Sequence, residues 1–143
     1  MQIRDLEIND YHLKYCELIQ QAFQDKFKYI QYLDFKNFIN KLDRNNHYIK
    51  VIEENGEIVA SGTLLIESKL IHQLGKVGHI EDIFVNPEYQ GEGLGQEILN
   101  TFIKKSYLED PSDIFLLKNH REELEKLQGF GKKSVSNLIE SIE

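Results

Sequence analysis

Between Asn86 and Leu99 the chain reads NPEYQGEGLGQEIL, with glycines at alternate positions, Gly91, Gly93 and Gly95. A run with strand character, KVGHIEDIFV, comes before it. After it, Leu94, Ile98, Leu99, Phe102 and Ile103 recur at helical spacing. Strand, glycine turn, helix is a narrow specification: it points backbone N–H groups and a helix N-terminus at an anion. The turn lacks Gly-Lys-Ser/Thr, which excludes a P-loop. Its glycines are spaced G-x-G-x-G, so the dinucleotide fingerprint G-x-G-x-x-G fails. The glycines alone leave two readings open, a tight helix entry and an anion site.

The segments upstream predict an antiparallel meander. Residues 2–8, QIRDLEI, alternate well enough for a first strand, with Ile3 off the register of Leu6 and Ile8. Asp10 is expected to cap a helix carrying Leu13, Cys16, Leu18, Ile19, Ala22 and Phe23 on one stripe. Asp34 is expected to cap a second, with Phe35, Phe38, Ile39 and Leu42 as core or cleft lining. The period then changes to two. HYIKVIEENGEIVASGTLLIES reads as two strands around Asn55-Gly56, a dipeptide whose two positions both accept φ > 0 and so favour a hairpin. KVGHIEDIFV is the next strand, after the loop SKLIHQLG.

Composition narrows the partners. The net charge is −7 over 143 residues, which disfavours non-specific binding to DNA or to anionic membrane. An anionic ligand must then be held by local donors. The single cysteine, Cys16, excludes an internal disulfide framework and a cysteine-based zinc site, and no metal is expected. No apolar run approaches the length of a spanning helix, and MQIRDLEIND has neither a basic start nor an apolar stretch. A soluble protein of a reducing, cytoplasmic compartment is the expectation.

Gln90 to Gly95 reads Q-x-x-G-x-G after the strand HIEDIFV and the link NPEY. This resembles the acetyl-CoA loop of the GNAT superfamily of N-acetyltransferases. The resemblance tightens over residues 60–100. Ile66-Glu67, Lys69, Ile71-His72 and Gly75, then Gly78-His79-Ile80-Glu81-Asp82-Ile83, then Tyr89 to Gly95, are similar to the glucosamine 6-phosphate N-acetyltransferases of eukaryotic type. It extends over residues 1 to about 105. It implies an α/β fold with a mixed, mostly antiparallel sheet flanked by helices, and acetyl-CoA as cosubstrate. The loop amides of Gln90, Gly91, Glu92, Gly93, Leu94 and Gly95 would hold the pyrophosphate. Ile83, Phe84 and Val85 would hold the pantetheine arm along the strand. The implied reaction is acetylation of the amine of D-glucosamine 6-phosphate, giving N-acetylglucosamine 6-phosphate for UDP-N-acetylglucosamine synthesis. The implied assembly is a homodimer whose last strands are exchanged.

Amide formation requires a neutral amine, so a carboxylate or an ordered water must accept the ammonium proton. Glu81 and Asp82 are the candidates, and the resemblance gives them the task of orienting and deprotonating the sugar amine, with Asp82 first. On a regular strand neighbouring side chains face opposite ways, so both reach one cleft only if the strand bulges there. Read without the resemblance, the pair is better taken as surface charge on a half-exposed strand. Lys69 and His72 suit a phosphate at neutral pH, and the resemblance assigns them the sugar phosphate.

The pattern changes after Lys105. A first domain is expected over 1–106 and an atypical helical tail over 107–143. In DPSDIFLLKNHREELEKLQGFGKKSVSNLIESIE the marks D-P-x-D-I-F, L-x-G-F-G-x-K-S and N-L-x-x-I-E resemble a helix-hairpin-helix unit of NAD-dependent DNA ligases. Residues 107–143 carry five basic and eight acidic groups, net −3, which opposes DNA affinity. The acetyltransferase pattern places a tyrosine here as proton donor to the leaving thiolate, but aligning Gly129-Phe130 puts Glu125 at that position. Other readings are therefore kept: transfer to another small amine or a protein amine, a non-catalytic acetyl-CoA-binding protein, and a nucleic-acid-binding module.

Overall fold

The computed structural model describes residues 1–23 and 29–109. The expected tail elements at 110–143 lie outside the described residues.

Four strands form one antiparallel sheet in the order β1-β2-β3-β4: β1 (Gln2–Asp5), β2 (His47–Glu54), β3 (Glu57–Ser68) and β4 (Lys76–Val85). The Asn55-Gly56 turn sets the register at its centre. Both residues adopt positive φ, 53° and 76°, and Glu54 pairs with Glu57. This backbone twist matches the right-handed twist of the flanking strands. Any parallel strand of the expected mixed sheet would lie outside the described residues. Half of SKLIHQLG is helix rather than open loop: α3 (Ile71–Leu74) lies within a loop closed by the Lys69 N–H donating to the Gly75 carbonyl at 2.8 Å.

Each face of the sheet is covered by helix. The 16-residue α4 (Leu94–Glu109) lies on one face; its Ile98 and Phe102 are wholly buried in one cluster with Ile52, Ala60 and Leu64, and Leu99 is wholly buried too. On the other face lie α1 (Tyr15–Phe23) and α2 (Tyr32–Lys41), which bury Cys16, Leu18, Phe35 and Ile39 against Ile49, Val51 and Ile58. Gly62 is what lets α4 come so close. A Cβ built there would stand 2.6 Å from the Ile98 Cγ2 methyl and 3.3 Å from the Phe102 ring. The struck methyl is branched at Cβ and fully buried, so it cannot swing away. Gly62→Ala is expected to cost about 1–3 kcal/mol by overpacking, read as a lower urea midpoint at unchanged m. In the double variant with Ile98→Ala the two costs should sum to less than their separate values, because the obstructing methyl is gone.

Three local expectations are corrected. The first strand ends at Asp5, not residue 8; only the Leu6 N–H continues the ladder, donating to the Ile49 carbonyl at 2.9 Å. Asp10 does not cap α1. It sits inside a 3-10 turn (Ile8–Leu13), where its carboxylate accepts from the Glu7 N–H at 2.8 Å and from the Arg4 guanidinium at 2.8 and 2.9 Å. A short carboxylate facing a strand arginine is worth more there than at a solvated helix end. Asp34 is in the first turn of α2, whose N-cap is Gln31. The negative charge still complements the helix dipole from that position.

Candidate active site

The sheet's register shifts at two places, between β2 and β3 at Ile52/Glu53 and between β3 and β4 near the end of β4. Ser61 pairs with Phe84, but Thr63 pairs with Glu81, so three steps on β4 answer two on β3. The surplus residue is accommodated as a bulge, and Asp82 takes φ of 53°. Aspartate tolerates this left-handed region better than most residues, yet the conformation is uncommon enough outside glycine to mark a place where the backbone is re-aimed. The outcome is the one the carboxylate pair requires: Glu81 and Asp82, adjacent in sequence, both line the same cavity.

That cavity has a volume of about 320 Å³ and lies between β3, β4 and the helices α1 and α2. Its walls are Phe23, Phe35, Phe38 and Phe84 among other apolar groups, with Phe23 and Phe84 edge to face at 4.9 Å. Polar lining comes from Tyr15, Ser61, Thr63 and His47. Burial pushes the Tyr15 phenol up to about 12, so it is a neutral hydroxyl at physiological pH. Cys16 also reaches the wall; burial, with a smaller contribution from Glu17, pushes its thiol up to about 11 and keeps it an inert neutral group. Tyr15, Ser61 and Thr63 were not singled out from sequence. Ser61 and Thr63 carried a readable sign, two hydroxyl side chains at period two in an otherwise apolar strand.

Next comes the edge and the turn. Among the described residues β4 is paired on one side only, so its outer backbone groups are free to meet an extended ligand. Ile83 and Val85 bury their side chains in the core, 4% and 6% exposed, and can offer only main chain there. Phe84 alone of the three presents its side chain to the cavity. After Val85 a short 3-10 turn (Pro87–Tyr89) leads to Gln90, whose side-chain amide donates to the Val85 carbonyl at 3.2 Å. Gly91 and Gly93 have φ of 87° and 82°, with open space where a Cβ would be. Their glycine requirement is conformational: the turn must double back to start α4 at Leu94, which is itself buried and contributes its amide. Glu92 is exposed in this turn and Gly95 lies in the first turn of α4.

Lys69 and His72 are elsewhere. Thr63 faces Glu81 and Ser68 faces Lys76, so the two candidate cations stand at the far tip of the β3–β4 hairpin. Five residues of strand, about 17 Å, separate those two registers. Lys69 does not line the cavity. The Lys69 ammonium pairs with Glu67 at 2.9 Å, and His79 meets the same carboxylate at 3.0 Å. Hydrogen bonds from Lys69 and then His79 hold the Glu67 carboxyl below its usual range. His72 is placed on α3 by its backbone; its side chain lies outside the described residues. Among the described residues no group of histidine, cysteine and carboxylate side chains could hold a metal ion, and no helix is long and apolar enough to cross a membrane.

Residues 7–122 match the model of the acetyltransferase (GNAT) family, and the chain belongs to that family. It is 38% identical over 97 residues to glucosamine 6-phosphate N-acetyltransferase 1 of Dictyostelium discoideum, 67% of this chain and 62% of that protein. It is 32% identical over 114 residues to the glucosamine 6-phosphate N-acetyltransferase of Candida albicans, 79% of this chain and 76% of that one. The crystal structure of glucosamine-6-phosphate N-acetyltransferase from Arabidopsis thaliana superposes with a TM-score of 0.69 at 31% identity, covering 73% of each chain. Over a separate comparison of 51 residues, 36% of this chain, it is 53% identical to the DNA ligase of Fusobacterium nucleatum, of which that segment is 7%.

Proposed function

We propose that this chain transfers the acetyl group of acetyl-CoA to a primary amine held at Glu81 and Asp82, and that the amine is that of D-glucosamine 6-phosphate. The observation that carries this reading is the bulge at Asp82. It turns two successive carboxylates into one cavity, beside a strand edge that is unpaired among the described residues and runs directly into a positive-φ glycine turn and a helix N-terminus.

The residues present fit acetyl-CoA. Main-chain groups of Ile83, Phe84 and Val85 would hold the pantetheine arm as an added strand would be held. The amides from Gln90 to Gly95, with the first turn of α4, would hold the pyrophosphate. Acetyl-CoA supplies an activated acyl carbon on a thiol leaving group. The chain's own part is to hold the amine against that carbon, to take the ammonium proton on Asp82, and to keep Glu81 close as a second acceptor for the amine's hydrogen bonds. Main-chain N–H groups freed from the ladder by the bulge are suited to stabilising a developing oxyanion.

The sugar acceptor is supported by the named relatives and by Lys69 and His72 at the hairpin tip. Within one chain that tip is too far from Asp82 for a hexose phosphate to bridge. We infer a homodimer in which the tip of one copy reaches the cavity of the other. Leu70, Ile71 and Leu74 expose 65–88% of their surface at this tip, an apolar knob that favours a partner.

The test is thiol release from acetyl-CoA with glucosamine 6-phosphate, with plain glucosamine as comparison. Release should require the sugar phosphate and should fall at least about tenfold in the Lys69→Ala, His72→Ala double variant. Mixing that variant with Asp82→Asn chains should restore about a quarter of the wild-type rate, since half the dimers then contain one intact site. A mixture as inactive as its components would remove the shared site, and equal rates with glucosamine would remove the phosphate's role.

A further inference from the structure

The cavity at the bulge is oddly furnished for a sugar. Its carboxylates are confined to one wall, at Glu81 and Asp82, and among the described residues neither side chain forms an ion pair. No described lysine or arginine lines it. The helices and the segment before α2 supply Phe23, Ile30, Phe35 and Phe38, and Leu65 lies on β3 two residues from Thr63, the partner of Glu81. Phe38 is 47% exposed and Leu65 38%, although both are large apolar side chains in a folded helix and a folded strand. Phe38 and the His47 ring are nearly perpendicular at 6.4 Å, and both line the cavity. At about 320 Å³ the space is at the small end of ligand pockets. Its polarity runs from anionic at the bulge to mostly apolar at the helices, where the Tyr15 hydroxyl and the Cys16 thiol are the neutral polar exceptions. A hexose phosphate, polar on all sides and doubly anionic, matches only the first of these ends.

We propose that this cavity binds primary amines with an apolar or aromatic body, the ammonium against Glu81 and Asp82 and the body against Phe38 and Leu65, and that such amines are acetyl acceptors. The inference rests on the acyl-transfer reading of the same carboxylate pair, but it names an acceptor class that the hairpin-tip cations play no part in holding. The reaction balances with acetyl-CoA as co-reactant. One ammonium proton passes to the carboxylates and on to water. The nitrogen then bonds to the acetyl carbonyl carbon as the carbon–sulfur bond breaks. The second proton lost by the nitrogen ends on the departing thiol.

The probe is 2-phenylethylamine, with 2-phenylethanol and ethylamine as controls lacking the charge and the ring. Calorimetric titration of the full chain should show saturable binding of 2-phenylethylamine. It should be at least about tenfold tighter than either control, since charge pairing and ring burial each contribute a factor of that order. Phe38→Ala and Leu65→Ala, both at positions more than a third exposed and so tolerant of truncation, should each weaken it about fivefold. Thiol release from acetyl-CoA should then follow the same order of amines. Absence of saturable binding, or equal binding of 2-phenylethanol, overturns the proposal even if glucosamine 6-phosphate is acetylated. Binding without thiol release, while glucosamine 6-phosphate turns over, overturns the acceptor role and leaves the sugar reading intact. If neither amine releases thiol, both readings fall.

Discussion

Asp82→Asn is expected to lower kcat/KM for acetyl transfer by about 10²- to 10⁴-fold while leaving acetyl-CoA binding in place. The substitution is chosen for its backbone. At φ of 53° an alanine or valine would add strain to any chemical loss, whereas asparagine accepts the left-handed region as readily as aspartate does. The amide has nearly the carboxylate's shape but cannot take a proton from an ammonium at neutral pH. The loss should therefore be recovered in part as pH is raised and the free amine supplies itself without a base. Glu81→Gln, on the regular side of the bulge, should cost less. Protection of the chain against heat by acetyl-CoA should be unchanged in both, because the strand edge and the glycine turn do not involve these side chains. If Asp82→Asn turned over within about threefold of wild type at every pH, the proton would have to leave by another route, through water held near Tyr15 and Thr63.

Arg4→Ala should cost about 3–5 kcal/mol of folding stability, measured as the shift in urea midpoint. Asp10 is 1% exposed and its two oxygens accept from both terminal nitrogens of Arg4 at 2.8 and 2.9 Å. The second of those nitrogens also reaches Glu53 at 2.7 Å. The hydrogen bond to Asp10 is the main cause that raises the Arg4 pKa above its already high value, so the guanidinium is charged at any pH where the fold exists. Removing it leaves a carboxylate in the interior whose remaining donor is the Glu7 N–H. A buried charge without a partner costs far more than the net worth of the pair. The Arg4→Met, Asp10→Leu double variant should accordingly be much closer to wild type than Arg4→Ala. A double variant no better than the single one would mean that the 3-10 turn depends on the carboxylate itself, through its bond to Glu7.

What the sequence by itself determined is whatever depends on near neighbours. Asn55-Gly56 specifies a hairpin because only residues that accept positive φ close it, and the pairs next to the turn, Glu54 with Glu57 and Glu53 with Ile58, follow from it; beyond Ile52 the register shifts by one residue. Period two over 47–68 and 76–85, then period 3.6 from Leu94, specify strands and a helix because each places an apolar stripe on one face. The glycine turn into α4 was legible as a turn, but the positive φ at Gly91 and Gly93 came only from the structure. The carboxylate pair was legible as a condition: both face one cleft only on a bulged strand, and the bulge is there at Asp82.

Only the tertiary structure decided the rest. Asp10 has the residue type and position of a helix cap, but a strand arginine six residues earlier outcompetes the solvated helix end, and no local pattern reports that. The bulge on β4 lies opposite Gly62, the residue that admits α4, so the place where the carboxylates turn and the place where the helix packs are brought together from positions some twenty to forty residues apart. Lys69 and His72 are close to Asp82 in sequence and far from it along the hairpin, since an extended strand carries a residue about 3.4 Å further at each step. Tyr15, Phe38 and Thr63 come from three elements and share a cavity only when those elements pack. Sequence periodicity reports which face a side chain occupies; which distant face it meets is settled by the packing of the whole core.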